Sequence, residues 1–178
     1  MDTEPIQVMI AWDTESKLAS AYNRAMERAT SEWVLFLDHD IFLCNRHWYQ
    51  MCVDAINLIG DRTGWISAVT NRIGNPGQKV KDGPMSHDIR EHCAFARKLY
   101  EMHGSNVQQC RGAMSGFWLL TNKTVWKEVG GFDENKKRLY GVDNRYSGAL
   151  NRAGYMHFKL PGLYVYHMYG QKKLFQRW

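Results

Sequence analysis

The sequence predicts a single α/β domain, a sheet flanked by helices, and three observations carry that prediction. Short apolar runs bounded by polar residues alternate with stretches whose apolar residues recur at helical spacing. The 178 residues are 44% apolar and 23% charged, enough for one hydrophobic core without disulfides or a structural metal. No internal repeat, low-complexity stretch or linker divides the chain.

The elements follow in order. Ile6–Trp12 is short and apolar, which suits a buried strand. Asp13 or Thr14 then offers an N-cap to a helix whose apolar stripe is Leu18, Ala21, Tyr22, Ala25 and Ala29. Trp33–Leu37 is a second buried strand, stopped by Asp38. Trp48, Cys52, Ala55, Ile56 and Ile59 form a second helical stripe, closed by Gly60. Trp65–Thr70 reads as a strand, and Asn71–Ser86, rich in Gly and Pro, as a long loop of the kind that often carries function. A helix with Ile89, Cys93, Ala96, Leu99 and Tyr100 on one side follows. Phe117–Thr121 is a strand, after which Asn122 caps a short helix holding Val125, Trp126 and Val129, ended by Gly130-Gly131. Val142, Tyr146, Ala149, Leu150 and Ala153 mark the last helix, with Gly154 as its stop, and Leu163–His167 the final strand.

With 23 Lys and Arg against 18 Asp and Glu, the formal charge is +5, a mild basic excess. Small clusters at Lys136-Lys137-Arg138 and Lys172-Lys173 read as solvated surface rather than a nucleic-acid groove, so no nucleic-acid partner is expected. The four cysteines show no metal-ligand spacing and read as reduced, mostly buried thiols. No apolar run approaches the ~20 residues of a membrane span, and Met1–Pro5 does not read as a signal peptide. The expectation is a cytoplasmic protein, with peripheral membrane contact left open.

In open α/β sheets the ligand crevice lies outside the carboxyl ends of the strands, where Asp38-His39-Asp40 falls. Residues i and i+2 of an extended chain project to one side, so the two carboxylates converge on a small volume. Like charges that close call for a proton or a cation between them, and a hard ion such as Mg²⁺ or Mn²⁺ would satisfy both. Aspartate is also common at strand-end turns for ordinary capping reasons.

The stretch Lys17–Leu43 (KLASAYNRAMERATSEWVLFLDHDIFL) resembles the central block of the GT-A glycosyltransferases of family 2 type, in which a helix precedes a strand ending in Asp-x-Asp. Gly112–Gly154, containing Gly-Gly-Phe-Asp-Glu and an acidic residue at a helix start, is similar to that family's acceptor half. Leu163–His167 (LYVYH) resembles its late strand ending in a metal-binding His. The resemblance implies a single Rossmann-like GT-A domain with a mixed, mostly parallel central sheet. Residues 1–70 would form a nucleotide- and metal-binding half, 71–111 a loop and helix, and 112–178 an acceptor and catalytic half.

The implied activity is metal-dependent, inverting transfer of a sugar from a nucleotide-diphosphate sugar to the hydroxyl of a glycan or other acceptor. Asp38, Asp40 and His167 would hold Mn²⁺ or Mg²⁺, with Asp38 also reaching the ribose, and Asp143 would be the catalytic carboxylate. Taken alone, His167 reads equally as a structural histidine, and Asp143 as a helix first-turn acid that favours the dipole. Trp12, Asp13, Lys17 and Asn23 would surround the nucleotide, Trp12 stacking on the base and Lys17 meeting the diphosphate. Asn71, Arg72, Ser115 and Gly116 would contact the donor, beside Met114, and Trp118 the acceptor. Core packing is the competing reading for Tyr22 and Trp118.

The sequence departs from the family in three places. The first strand proceeds almost at once to the helix before Asp38, so the nucleotide half is abbreviated. The usual Glu-Asp pair appears as Val142-Asp143, and Gln176-Arg177-Trp178 lacks the spacing of the processive synthases, favouring a non-processive enzyme. Two alternatives remain at this point: a sugar-nucleotide pyrophosphorylase-like nucleotidyltransferase, and an inactive nucleotide- or carbohydrate-binding module. The first would need a glycine-rich N-terminal loop, and Ile6–Lys17 contains no glycine.

Overall fold

A computed structural model describes residues 5–135 and 141–168. Both basic clusters, the first four residues and the C-terminal Gln176-Arg177-Trp178 lie outside the described residues. The elements are β1 (Ile6–Met9), α1 (Leu18–Arg28), β2 (Trp33–Leu37), β3 (Ile41–Leu43), α2 (Trp48–Ile59), β4 (Thr63–Thr70), α3 (Ile89–His103), β5 (Gln108–Cys110), β6 (Trp118–Asn122), α4 (Lys123–Glu128), α5 (Val142–Arg152) and β7 (Met156–His167).

One sheet gathers the strands in the order β1-β2-β6-β4-β7-β3, with β5 also pairing β7. Strands β1, β2, β4 and β7 run one way, and β3, β5 and β6 run against them. The sheet is mixed, as expected, and four of the seven strands of the described residues run in one direction. Among neighbouring pairs, however, only β1–β2 and β4–β7 are parallel, because β6 inserts between β2 and β4. The carboxyl ends of β1, β2, β4 and β7 and the start of β6 therefore share one edge.

The sheet is covered on both faces. Against one lie α1, α4 and α5, with Tyr22, Phe36, Phe132 and Tyr146 in mutual ring contact at centroid separations of 4.2–6.2 Å. Such aromatic pairs each contribute about 0.5–1.5 kcal/mol beyond area burial. Against the other face lies α2, whose Met51, Cys52 and Ala55 meet Leu35, Ile66 and Trp118. Helix α3 packs on β7 through Ala96, with Tyr164 and Tyr166. All eight residues of β4 are buried, as befits a strand with neighbours on both edges and helices over both faces.

Three local readings need correction. Helix α1 is capped at Lys17, with no side-chain cap. Asp13 instead accepts the Glu15 and Lys17 amides at 2.8 and 3.0 Å in a turn before the helix. Strands β3 and β5 escaped notice because three residues carry no readable periodicity. Strand β7 is far longer than Leu163–His167, because Pro161-Gly162 sits inside a register shift against β4 and does not end the strand. The caps on α3 and α4 are as chemistry demands: Asp88 accepts from the Arg90 amide and Asn122 from Val125 at 2.8 Å.

Gly162 is required by close approach. A Cβ there would lie 2.2 Å from the Gly104 carbonyl oxygen, at the end of α3. Gly162→Ala is expected to destabilise the fold by about 2 kcal/mol or more, read as a lower midpoint in urea unfolding.

His157 on β7 is 1% exposed, with neither ring nitrogen in a well-formed hydrogen bond among the described residues. Burial pushes its pKa below the ordinary histidine value, partly offset by the Ser147 backbone. The unfolded chain then binds the proton more readily, so stability falls as pH drops below about 6.5. His157→Phe is expected to lose less melting temperature than wild type between pH 7.5 and pH 5.5.

Candidate active site

Strand β2 delivers Asp38 to the shared edge, where its amide donates to the Phe117 carbonyl at 3.2 Å. The Ile41 amide then closes a turn onto the Asp38 carbonyl at 3.4 Å, and β3 pairs with the end of β7 so that Ile41 opposes His167. The Met168 amide holds the Asp40 carbonyl at 3.1 Å. Two strands meeting antiparallel thus place a histidine distant in sequence beside the Asp-x-Asp turn.

His167 Nε2 lies 3.2 Å from Asp40 Oδ1 and 3.8 Å from Asp38 Oδ2. One donor atom from each residue fits within a mutual spread of 4.8 Å. The imidazole is 2% exposed and stacks on the Phe117 ring at 5.7 Å. Its Nδ1 lies 3.1 Å from the Arg72 carbonyl oxygen, which only accepts, so the Nδ1 proton donates there and Nε2 faces the carboxylates. The Asn71 side-chain oxygen accepts the His167 amide at 3.0 Å and the Thr70 hydroxyl at 3.1 Å.

Burial pushes the Asp38 carboxyl up, opposed by the His167 charge and reinforced by Asp40. The hydrogen bond from His167 instead holds Asp40 below the ordinary carboxylate range. With Nδ1–H committed, Nε2 can face two carboxylates favourably only with a second proton or a cation between them. Two carboxylate oxygens and one imidazole nitrogen therefore fit a divalent ion, and the nitrogen suits Mn²⁺ better than the all-oxygen preference of Mg²⁺.

Across a cleft of about 390 Å³ stands Asp143, in the first turn of α5 after Gly141, whose φ of 77° gives the chain its left-handed entry. Asp143 Oδ2 accepts the Gly116 amide at 3.2 Å, and Oδ1 accepts from Asn144 at 2.8 Å. Asp38, His167, Tyr22, Ser115 and Gly116 line the same cleft. A larger groove of about 720 Å³, between Val129–Asn135 and the outer side of α5, shares only Asn144 with it and holds none of the acid–histidine cluster.

The structure gathers Asp38, His167, Asp143, Ser115 and Gly116 around one cleft, with Asp40 beside His167, and Tyr22 is both core and cleft wall. Asn71 and the Arg72 carbonyl act on His167. Met114 is buried in the core, its amide held by the Ser147 hydroxyl at 3.1 Å. Trp12 is 75% exposed just beyond β1. Asp13 is paired with Arg24 at 2.7 Å, which helps hold its pKa down to about 2, and Lys17 is paired with Glu15.

Two expectations fail. Trp118 is fully buried against Trp48, because β6 lies inside the sheet rather than along a pocket, so it cannot contact an acceptor. Asn23 is a brace: its amide nitrogen donates to Phe132 O and Glu134, and its oxygen accepts from Phe132 N and Trp126 Nε1 at 2.8 and 3.0 Å. That uses its full hydrogen-bonding capacity and leaves none for a nucleotide.

Sequence reasoning missed Phe117 as the stacking partner of His167, and it missed Gln78. Gln78 is wholly buried in what reads as loop and bonds to Ser67 and Ser115. No local signal marks either residue, since both act through contacts distant in sequence.

If Asp38, Asp40 and His167 hold Mn²⁺, Asn71→Ala, which frees the His167 amide, is expected to weaken that binding about 10–100-fold by calorimetric titration. No helix among the described residues is long and apolar enough to cross a membrane.

The sequence profile of glycosyl transferase family 2 matches residues 5–114. Among solved structures, a mannosyltransferase from Pyrobaculum calidifontis in complex with GDP-Man and Mn²⁺ is similar at 18% identity and TM-score 0.54. It is covered over 37% of its length by 86% of this chain. GalNAc-T7 with UDP, GalNAc and Mn²⁺ is similar at 16% identity and TM-score 0.59, over 31% of its length and 86% of this chain. The chain thus spans about a third of the length of these structures, and at such identities the likeness concerns the fold. No curated protein matches.

Proposed function

The chain belongs to glycosyl transferase family 2, and from that premise we propose that it is a metal-dependent, inverting glycosyltransferase. The donor is a nucleotide-diphosphate sugar and the acceptor a hydroxyl, that of a glycan or another molecule. The observation that carries this reading is a cluster of Asp38, Asp40 and His167, two of which, Asp38 and His167, line a cleft that also holds Asp143. We assign residues 1–70 to nucleotide and metal binding, 71–111 to a connecting loop and helix, and 112–178 to the acceptor and catalytic half.

Asp38, Asp40 and His167 would hold Mn²⁺ or, less well matched, Mg²⁺. Bound there, the ion supplies positive charge to the departing diphosphate. Trp12, exposed beyond β1, offers a flat face for the base. Asp143 receives the acceptor hydroxyl proton on a carboxylate oxygen as the acceptor oxygen bonds to the anomeric carbon. The bond from that carbon to the diphosphate oxygen breaks on the opposite face, which inverts the configuration. The Gly116 and Asn144 amides donate to the two oxygens of Asp143 and fix where the carboxylate stands.

Neutral sugar donors linked to UDP or GDP, incubated with Mn²⁺ and a panel of sugar acceptors, test the reading by product formation and nucleoside diphosphate release. Product of inverted anomeric configuration is expected, dependent on Mn²⁺. Nucleotide affinity with no turnover across the panel would instead identify a binding module, and pyrophosphate release from a nucleoside triphosphate would identify a nucleotidyltransferase.

A further inference from the structure

We infer that Gln78 is a positioning residue for the catalytic carboxylate, acting through the main chain of Ser115 and Gly116; this rests on the glycosyltransferase reading above. Gln78 is 0% exposed, although it lies in the glycine-rich segment that follows β4. Its side-chain oxygen accepts the Ser115 amide at 2.7 Å, and its nitrogen donates to the Ser115 carbonyl at 3.0 Å. A single side chain thereby satisfies both main-chain groups of one residue, as a neighbouring strand would. The same nitrogen also donates to the Ser67 hydroxyl at 2.7 Å, which fixes the clamp to the central strand β4.

What the clamp holds is the approach to the cleft. The residue after Ser115 is Gly116, whose amide donates to Asp143 at 3.2 Å, and the next is Phe117, stacked on His167. Met114, on the other side, is tied to Ser147 of α5 at 3.1 Å. Gln78 thus sets the segment that touches both the base and the metal-ligand histidine. The segment carrying Gln78 is itself anchored: its amide and carbonyl bond to Asn75 O and Thr70 N, and Lys159 donates to the Gly77 carbonyl at 2.6 Å. A second contact to the same region, from Asn75 Nδ2 to the Ala113 carbonyl at 2.7 Å, stops short of Ser115 and provides the control.

The test compares Gln78→Met, which keeps the shape and removes the bonds, with Asn75→Ala, which loosens the same loop without touching Ser115. Hydrogen–deuterium exchange of peptides covering residues 113–118 is measured beside steady-state transfer with Mn²⁺. In Gln78→Met, faster exchange at Ser115 and Gly116 is expected, with kcat down at least tenfold and donor KM within threefold of wild type. Asn75→Ala is expected to retain wild-type kcat.

Wild-type kcat in Gln78→Met, or an equal fall in both variants, would overturn the inference, since general loosening of the loop would then explain the loss. If the wild-type protein transfers no sugar, the activity reading fails by itself. Unchanged exchange at Ser115 and Gly116 in Gln78→Met refutes the clamp whether or not transfer is seen.

Discussion

On the proposed chemistry, Mn²⁺ is expected to raise the wild-type melting temperature, and Asp40→Asn to abolish that rise and cut sugar transfer by at least about a thousandfold. The side chain keeps its shape and loses its charge. Its carboxylate lies 3.2 Å from His167 Nε2, and no other group is so close to that nitrogen in the acid–histidine cluster. Removing the charge leaves Asp38 and the imidazole to hold a divalent ion, and Asp38 is the carboxyl whose ionisation burial already disfavours. A thousandfold loss is about 4 kcal/mol of transition-state stabilisation, which matches the several kcal/mol that a metal supplies to a departing anion. The turn itself should survive, because the Asp40 contact that ties it to β7 is main chain, Met168 N–H to Asp40 O at 3.1 Å. Thermal melts with and without Mn²⁺, beside donor turnover, decide the matter. An undiminished metal shift would remove Asp40 from the ligand set.

Asp143→Asn is expected to separate the two halves of the proposed chemistry. Loss of a general base costs about 10²–10⁴ in rate, so kcat should fall by that order. Mn²⁺ affinity and donor KM should stay near wild type, since Asp143 lies outside the acid–histidine cluster. Asparagine retains an oxygen able to accept the Gly116 amide, which Asp143 accepts at 3.2 Å, so the backbone around it has no reason to move. Steady-state kinetics with a fixed acceptor, paired with a metal titration, supply the measurement. A variant with wild-type kcat would show that the acceptor proton leaves by another route.

The residues that sequence located best are those whose meaning is local. Asp38 and Asp40 were legible because a buried strand ends at Leu37 and an alternating pair of acids follows it. Asp143 was legible from its place in the first turn of a helix, once the surrounding block resembled a known family. His167 was legible only through that resemblance, because its partnership with Asp40 depends on β3 pairing with β7, and three residues of strand leave no pattern. Trp118 misled for the opposite reason. An aromatic beside the start of a strand suits a sugar pocket or a core equally well, and the position of β6 between β2 and β4 decides for the core. Asn23 sits on a helix of the right kind, yet all its bonds reach residues more than a hundred positions away. No window of sequence contains that information.

The imidazole of His167 takes its orientation from the Arg72 carbonyl, where many proteins would use an acidic side chain. A peptide oxygen is present whatever amino acid the gene encodes at that position. Evolution can therefore exchange the side chain at 72 without twisting the histidine ring. The placement of that ring is thus insulated from drift at position 72.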